Sequence, residues 1–252
     1  MGAVGWRPVY WIFSVLGLLW AAVWTSWYRN SPEEHPSVGP QELEEIREGS
    51  PTLTRSDHVP WKAILKSRNV WALCGMYSGY TFGLYFYLTW LPTYLQEGRG
   101  ISVAEIGFYA AVPWVTASAC NLIGGVLTDW MTRRLPAMCG LLGAALFLTI
   151  AALAENTTLG IAALALSFGS ADLILAVCWA TCLDVGREHA GTVSGTMNSL
   201  GQIGGAIAPI LFGYLVETYG SWQLPLLIAA GYYVISALLW LLIDPEQSVV
   251  GS

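Results

Sequence analysis

Long runs without charge constrain this chain more than any other feature. Seven mostly apolar stretches occur, at about 9–28, 70–95, 105–127, 136–154, 159–183, 192–216 and 224–243. Roughly 20 such residues carry a helix across the hydrocarbon of a bilayer. Only helices and closed barrels satisfy their own backbone there. A barrel needs alternating strands of about ten residues, and these runs do not alternate. The expected fold is an all-α membrane protein with seven transmembrane helices. Composition agrees: 11% of the residues are charged, against about a quarter in soluble domains. That is too little polar surface for a soluble enzyme, and no HExxH, P-loop or nucleophile elbow occurs. No enzymatic activity and no cofactor are expected.

The net charge of −6 and the lack of a basic face argue against a nucleic-acid partner. All five cysteines fall inside predicted spans, where they read as small buried hydrophobes. Cys178 and Cys182 stand one turn apart but no His accompanies them, so no metal is expected. The first span has only Arg7 ahead of it, a long apolar run and no small-residue cleavage site, so it reads as a retained helix.

Nine of the eleven Lys and Arg residues lie in alternate loops: Arg29, Arg47, Arg55, Lys62, Lys66, Arg68, Arg133, Arg134 and Arg187. The positive-inside bias puts the N-terminus outside and the C-terminus in the cytoplasm of a multi-pass protein of the cell (inner) membrane. The loop 29–69 is long and polar. Within it, 40–47 predicts a short helix with Pro at its start and acids in its first turn. Trp61 to Lys66 has the Trp and Lys of an interfacial lead-in. The layout is thus one helix, a linker and a group of six. A seven-helix receptor fits this loop pattern poorly.

Four stretches carry more specific information. Between spans three and four runs Gly124-Gly125-Val126-Leu127-Thr128-Asp129-Trp130-Met131-Thr132-Arg133-Arg134. It resembles the G-x-L-x-D-x-x-x-R-R loop of the major facilitator superfamily. The resemblance implies a cytoplasmic gate of Asp129, Arg133 and Arg134; the plain alternative is a tight loop with positive-inside arginines. In that superfamily the loop follows the second helix of each six-helix half. By resemblance, residues 1–28 are then the last helix of a missing N-terminal half. Residues 29–69 are the linker between halves, 70–243 the C-terminal transport half, and 244–252 a cytoplasmic tail.

Ser31-Pro32-Glu33-Glu34-His35-Pro36, Leu88-Thr89-Trp90-Leu91-Pro92-Thr93-Tyr94-Leu95 and Ala190-Gly191-Thr192-Val193-Ser194-Gly195-Thr196-Met197-Asn198 narrow the likeness further. Together they resemble the anion:cation symporter family, whose bacterial members carry hexuronates, aldonates and related organic anions with protons. The resemblance implies a secondary transporter of small organic anions of the sugar-acid class, proton-coupled and substrate-binding near the midplane. Its partners would be the substrate, protons, the bilayer and the missing half. The other readings are a non-transporting module that pairs with a separate N-terminal half and a facilitator-type efflux protein for another small molecule.

Gly75, Gly79 and Gly83 recur every four residues, a stripe that admits a closely packed neighbour. Tyr77 and Tyr80 lie on another face of the same span. By resemblance they line the cavity; otherwise they are packed aromatics. Tyr85 and Tyr87 are expected to point elsewhere or toward the outer interface. Asn198 and Gln202, one turn apart, are costly in hydrocarbon unless they meet substrate or a neighbouring helix. Resemblance assigns Asn198 to the cavity, with Gln202 divided between substrate and helix packing.

Asp172 is the sole acid well inside a span, which makes it a candidate for proton transfer or gating. The alternative is a carboxylate held by Ser167, Ser170 or a neighbouring helix. Trp179 is a candidate cavity wall, and Asn121 a weaker polar candidate. No Lys or Arg lies inside any span, and all three His are in loops, so most of the countercharge is expected from the missing half.

Overall fold

The computed structural model describes residues 7–49, 59–130 and 134–249. Those residues are helical wherever they are regular, with no strand among them. Five segments are long and apolar enough to cross a membrane: Arg7–Trp27, Val103–Leu127, Arg134–Leu153, Thr157–Tyr219 and Gln223–Leu242. The fourth, of 63 residues, contains two helices.

The chain divides into two compact units, Met1–Arg55 and Ser56–Ser252. In the first, α1 (Arg7–Trp27) leads through a turn to α2 (Pro40–Gly49), the short linker helix the sequence predicts. Arg47 pairs with Glu33 at 3.2 Å. The Glu33 carboxyl is held below its ordinary pKa by its own backbone N–H, the Ser31 hydroxyl and Arg47.

The second unit opens with α3 (Trp61–Lys66) and α4 (Arg68–Tyr85). An extended Ser67 separates them and caps α4, its hydroxyl accepting from the Val70 N–H. Beyond Tyr85 the helix continues in wider π turns, Phe86–Trp90 and Tyr94–Gly98, around α5 (Leu91–Thr93). Pro92 explains the first widening: it donates no hydrogen bond and its ring crowds the preceding turn. Then follow α6 (Val103–Trp130), α7 (Arg134–Leu153), α8 (Thr157–Gly186), α9 (Ala190–Tyr219) and α10 (Gln223–Leu239).

Five of these helices close a ring in the spatial order α8, α7, α10, α4, α9, with α9 returning to α8, while α6 lies along α8. Glycines set how closely they approach. A Cβ on Gly79 would collide with the Ser236 hydroxyl, and one on Gly83 with the Tyr233 phenol. The every-fourth-residue stripe is therefore the face of α4 that receives α10. On the opposite joint, a Cβ on Gly204 of α9 would strike the backbone carbonyl of Ser78. The Gly124-Gly125 pair splits in role: a Cβ on Gly124 would lie 2.6 Å from the Leu173 carbonyl of α8, whereas Gly125 faces open space.

Polar clasps close the ends of the ring. Asn69 donates from Nδ2 to the carbonyls of Asp244 (2.8 Å) and Gln247 (3.1 Å), and its Oδ1 accepts from the Asp244 N–H at 2.9 Å. Val249 donates its N–H to Val185 O at 2.9 Å. At the other end Arg99 donates to the carbonyls of Ala151 and Ala154 and to the Tyr94 hydroxyl, each at 2.6 Å. It thereby satisfies the orphan carbonyls that end α7.

Candidate transport site

The buried polar groups gather where α4, α6, α8 and α9 meet. The Tyr80 hydroxyl on α4 donates to Oδ1 of Asp172 on α8 at 2.7 Å. Nδ2 of Asn121 on α6 donates to Oδ2 of the same carboxylate at 3.2 Å. Both carboxylate oxygens thus have a donor, which buried polar groups require. Ser167, one of the serines suggested by the sequence, donates instead to the Ala144 carbonyl at 2.9 Å. The donors to Asp172 come from two neighbouring helices.

Tyr77 packs against Tyr80 with ring centroids 5.5 Å apart. Its ring covers Gly201 of α9, where a Cβ would sit inside it. Thr81, fully buried, donates to the Gly201 carbonyl at 2.7 Å. Sequence reading passed over Thr81. Its position four residues after Tyr77, on the same helical face, is the signal that could have found it.

Asn198 and Gln202 share one face of α9, with Gln202 Nε2 directed to Asn198 Oδ1 at 3.5 Å. The Gln202 Oε1 is buried and has no partner. An unpaired buried acceptor of this kind costs about 1–3 kcal/mol. Trp179, two turns beyond Asp172 on α8, is 39% exposed and open to a neighbour.

Tyr87, expected to point elsewhere or to the outer interface, does the first: it is 2% exposed, donates to the Leu164 carbonyl at 3.0 Å and stacks on Phe168 at 4.4 Å. Tyr87 stands two turns beyond Tyr80 and faces α8 as Tyr80 does.

Of the three residues expected at a gate, only part can be placed. Asp129 is in the last turn of α6, and Arg133 lies outside the described residues. Arg134 opens α7 and donates to the Ile243 carbonyl at 2.6 Å. Among the described residues no cluster of His, Cys, Asp or Glu is arranged to hold a metal.

The amides, phenols and one carboxylate named above are thus held between packed apolar helices. The chain belongs to the Major Facilitator Superfamily, whose model matches residues 1–209, and the curated relatives it matches include anion transporters, in keeping with the anion:cation symporter family. It is 31% identical over 260 residues to a probable sulfoacetate transporter of Cupriavidus necator, covering 99% of this chain and 60% of that protein. A probable galactarate/D-glucarate transporter of Escherichia coli is 30% identical over 95% of this chain and 58% of its own length. The hexuronate transporter of Bacillus subtilis is 27% identical over 94% of this chain and 57% of its own. These relatives are transporters, not enzymes. The chain spans about half the length of the curated relatives it matches, from 43% to 60% of the first five.

Proposed function

We propose that this chain is the C-terminal half of a proton-coupled secondary transporter of small organic anions, of the sugar-acid class, together with the helix that precedes that half. In this reading residues 1–28 end the N-terminal half, 29–69 link the halves, 70–243 form six spans and 244–252 are a tail. The seven spans run from an outside N-terminus to a cytoplasmic C-terminus. The length relationship supports the division, as does the separation of the chain at Arg55. The other half would supply most of the countercharge and the coupling acids. Access would alternate by rocking of the halves, with Asp129, Arg133 and Arg134 at the cytoplasmic gate.

The observation that carries the substrate class is the unpartnered Gln202 Oε1 beside Asn198. An amide oxygen accepts hydrogen bonds and repels carboxylates, so its natural complement is a donor such as a sugar-acid hydroxyl. Asn198 lies one turn away, Tyr77 packs on the intervening Gly201, and the open Trp179 offers an apolar wall. The Tyr80–Asp172–Asn121 cluster would hold a proton or a polar contact behind them.

The reading is tested by glucarate binding to the transporter reconstituted from this chain and an N-terminal half. Asn198→Ala and Gln202→Leu are each expected to weaken binding roughly tenfold, the worth of one hydrogen bond to a site built for it. Unchanged affinity in both would refute the assignment. The chain alone is expected not to concentrate substrate in liposomes.

A further inference from the structure

At the end of the ring where α3 meets α4, a cavity of about 580 Å³ is lined by Lys66, Ser67, Arg68, Asn69, Gln247 and Ser248, among others. Asn69 shapes it, because its bonds to Asp244 and Gln247 hold the tail as the opposite wall. Lys66 and Arg68 are exposed, and no carboxylate pairs with either among the described residues. The nearby Asp244 carboxylate is not part of the lining and accepts from the Glu246 N–H. The cavity therefore presents two cations at its mouth that no carboxylate among the described residues pairs.

Beside it the surface turns apolar. Trp61, Leu65 and Trp71 are each at least half exposed, while Ile64 anchors α3 to the ring at full burial. The Trp71 indole N–H donates to the Leu65 carbonyl at 2.8 Å, which fixes both on one patch. Exposed tryptophans next to lysine and arginine suit the boundary between acyl chains and headgroups. A soluble anion would use the cations and leave the apolar patch bare.

We propose that Lys66 and Arg68 hold the phosphate of an anionic phospholipid in this cavity, with Trp61, Leu65 and Trp71 against its acyl chains. The choice of leaflet rests on the orientation proposed above, which makes this the cytoplasmic one. A lipid seated here would brace α3, α4 and the tail at the joint where Asn69 closes the ring.

The test uses the purified chain, stripped of loosely held lipid by detergent and weighed by native mass spectrometry. Phosphatidylglycerol is expected to stay bound under conditions that remove phosphatidylcholine. Lys66→Gln with Arg68→Gln is expected to lower its retention roughly 10- to 30-fold, and the swap Lys66→Arg with Arg68→Lys to preserve it. Equal retention of the two lipids, or full retention by the glutamine variant, would overturn the proposal. Release of phosphatidylglycerol by excess inorganic phosphate would show a site for a free anion and would equally overturn it. Loss by both the glutamine variant and the swap would indicate a packing role and also sink the idea. Glucarate binding is read separately, and labelling of Lys62→Cys from one side of sealed vesicles reads orientation, so each can fail alone.

Discussion

The Tyr80 hydroxyl and the Asp172 carboxylate, 92 residues apart in sequence, meet at 2.7 Å. The bond ties α4 to α8 across the ring, and Asn121 completes the carboxylate from α6. Removing the hydroxyl in Tyr80→Phe leaves one buried oxygen without a donor. Stability should fall by about 1–3 kcal/mol, read as a lower Tm in detergent. Asp172→Leu strands both donors and should cost more than Asp172→Asn, to which Asn121 adapts by turning its amide. Equal losses in the two Asp172 variants would argue against the network.

Two glycines give a sharp contrast. Gly204→Ala forces a methyl into the Ser78 carbonyl, and overpacking of that kind costs about 1–3 kcal/mol. Gly125→Ala adds the same methyl to open space and should lie within about 0.5 kcal/mol of wild type. Thermal unfolding of the pair measures the difference directly.

Arg99 should prove structural. Its guanidinium holds two carbonyls at the end of α7 and the Tyr94 phenol. Arg99→Ala is expected to cost about 1.5–3 kcal/mol. Arg99→Lys should recover only part of this, because an ammonium cannot reproduce the planar fork. Full recovery by lysine would show that charge alone matters there.

The turn between α8 and α9 places Arg187 at φ 45°, the one positive-φ residue other than glycine among the described residues. A side chain is strained there, so Arg187→Gly should gain roughly 1 kcal/mol. A fall in Tm would show that the arginine's own contacts outweigh the strain.

Asn156 begins α8, its Oδ1 accepting from the Leu159 N–H at 3.0 Å. Asn156→Ala should cost about 1 kcal/mol and Asn156→Ser much less. Comparable losses in both would exclude capping as the cause.

Features that repeat within one helix were legible in the sequence. The stripe of Gly75, Gly79 and Gly83 announced a close neighbour, and the stripe indeed faces α10. The amide pair on α9 was equally visible from its spacing. What could not be read was which helices the ring brings together. Asp172 stood out as an intramembrane acid, but its partners depended on α4 and α6 being placed against α8. Tyr87 stands seven residues after Tyr80, a spacing that shares a helical face, yet its partner Leu164 depended on α8 being placed against that face. Arg99 looked like one more loop charge, since nothing in its local sequence indicates that α7 ends beside it.

The Asn69 clasp has a consequence for how the protein is made. Its partner backbone lies 175 residues further along the chain, and α10 is the last helix of the ring. As the chain leaves the ribosome, α4 emerges with its glycine face uncovered and keeps it so until Tyr233 and Ser236 arrive. During that interval the groove is open to any other helix that fits, so release of the final segment, rather than completion of the first, commits the ring to its native pairing.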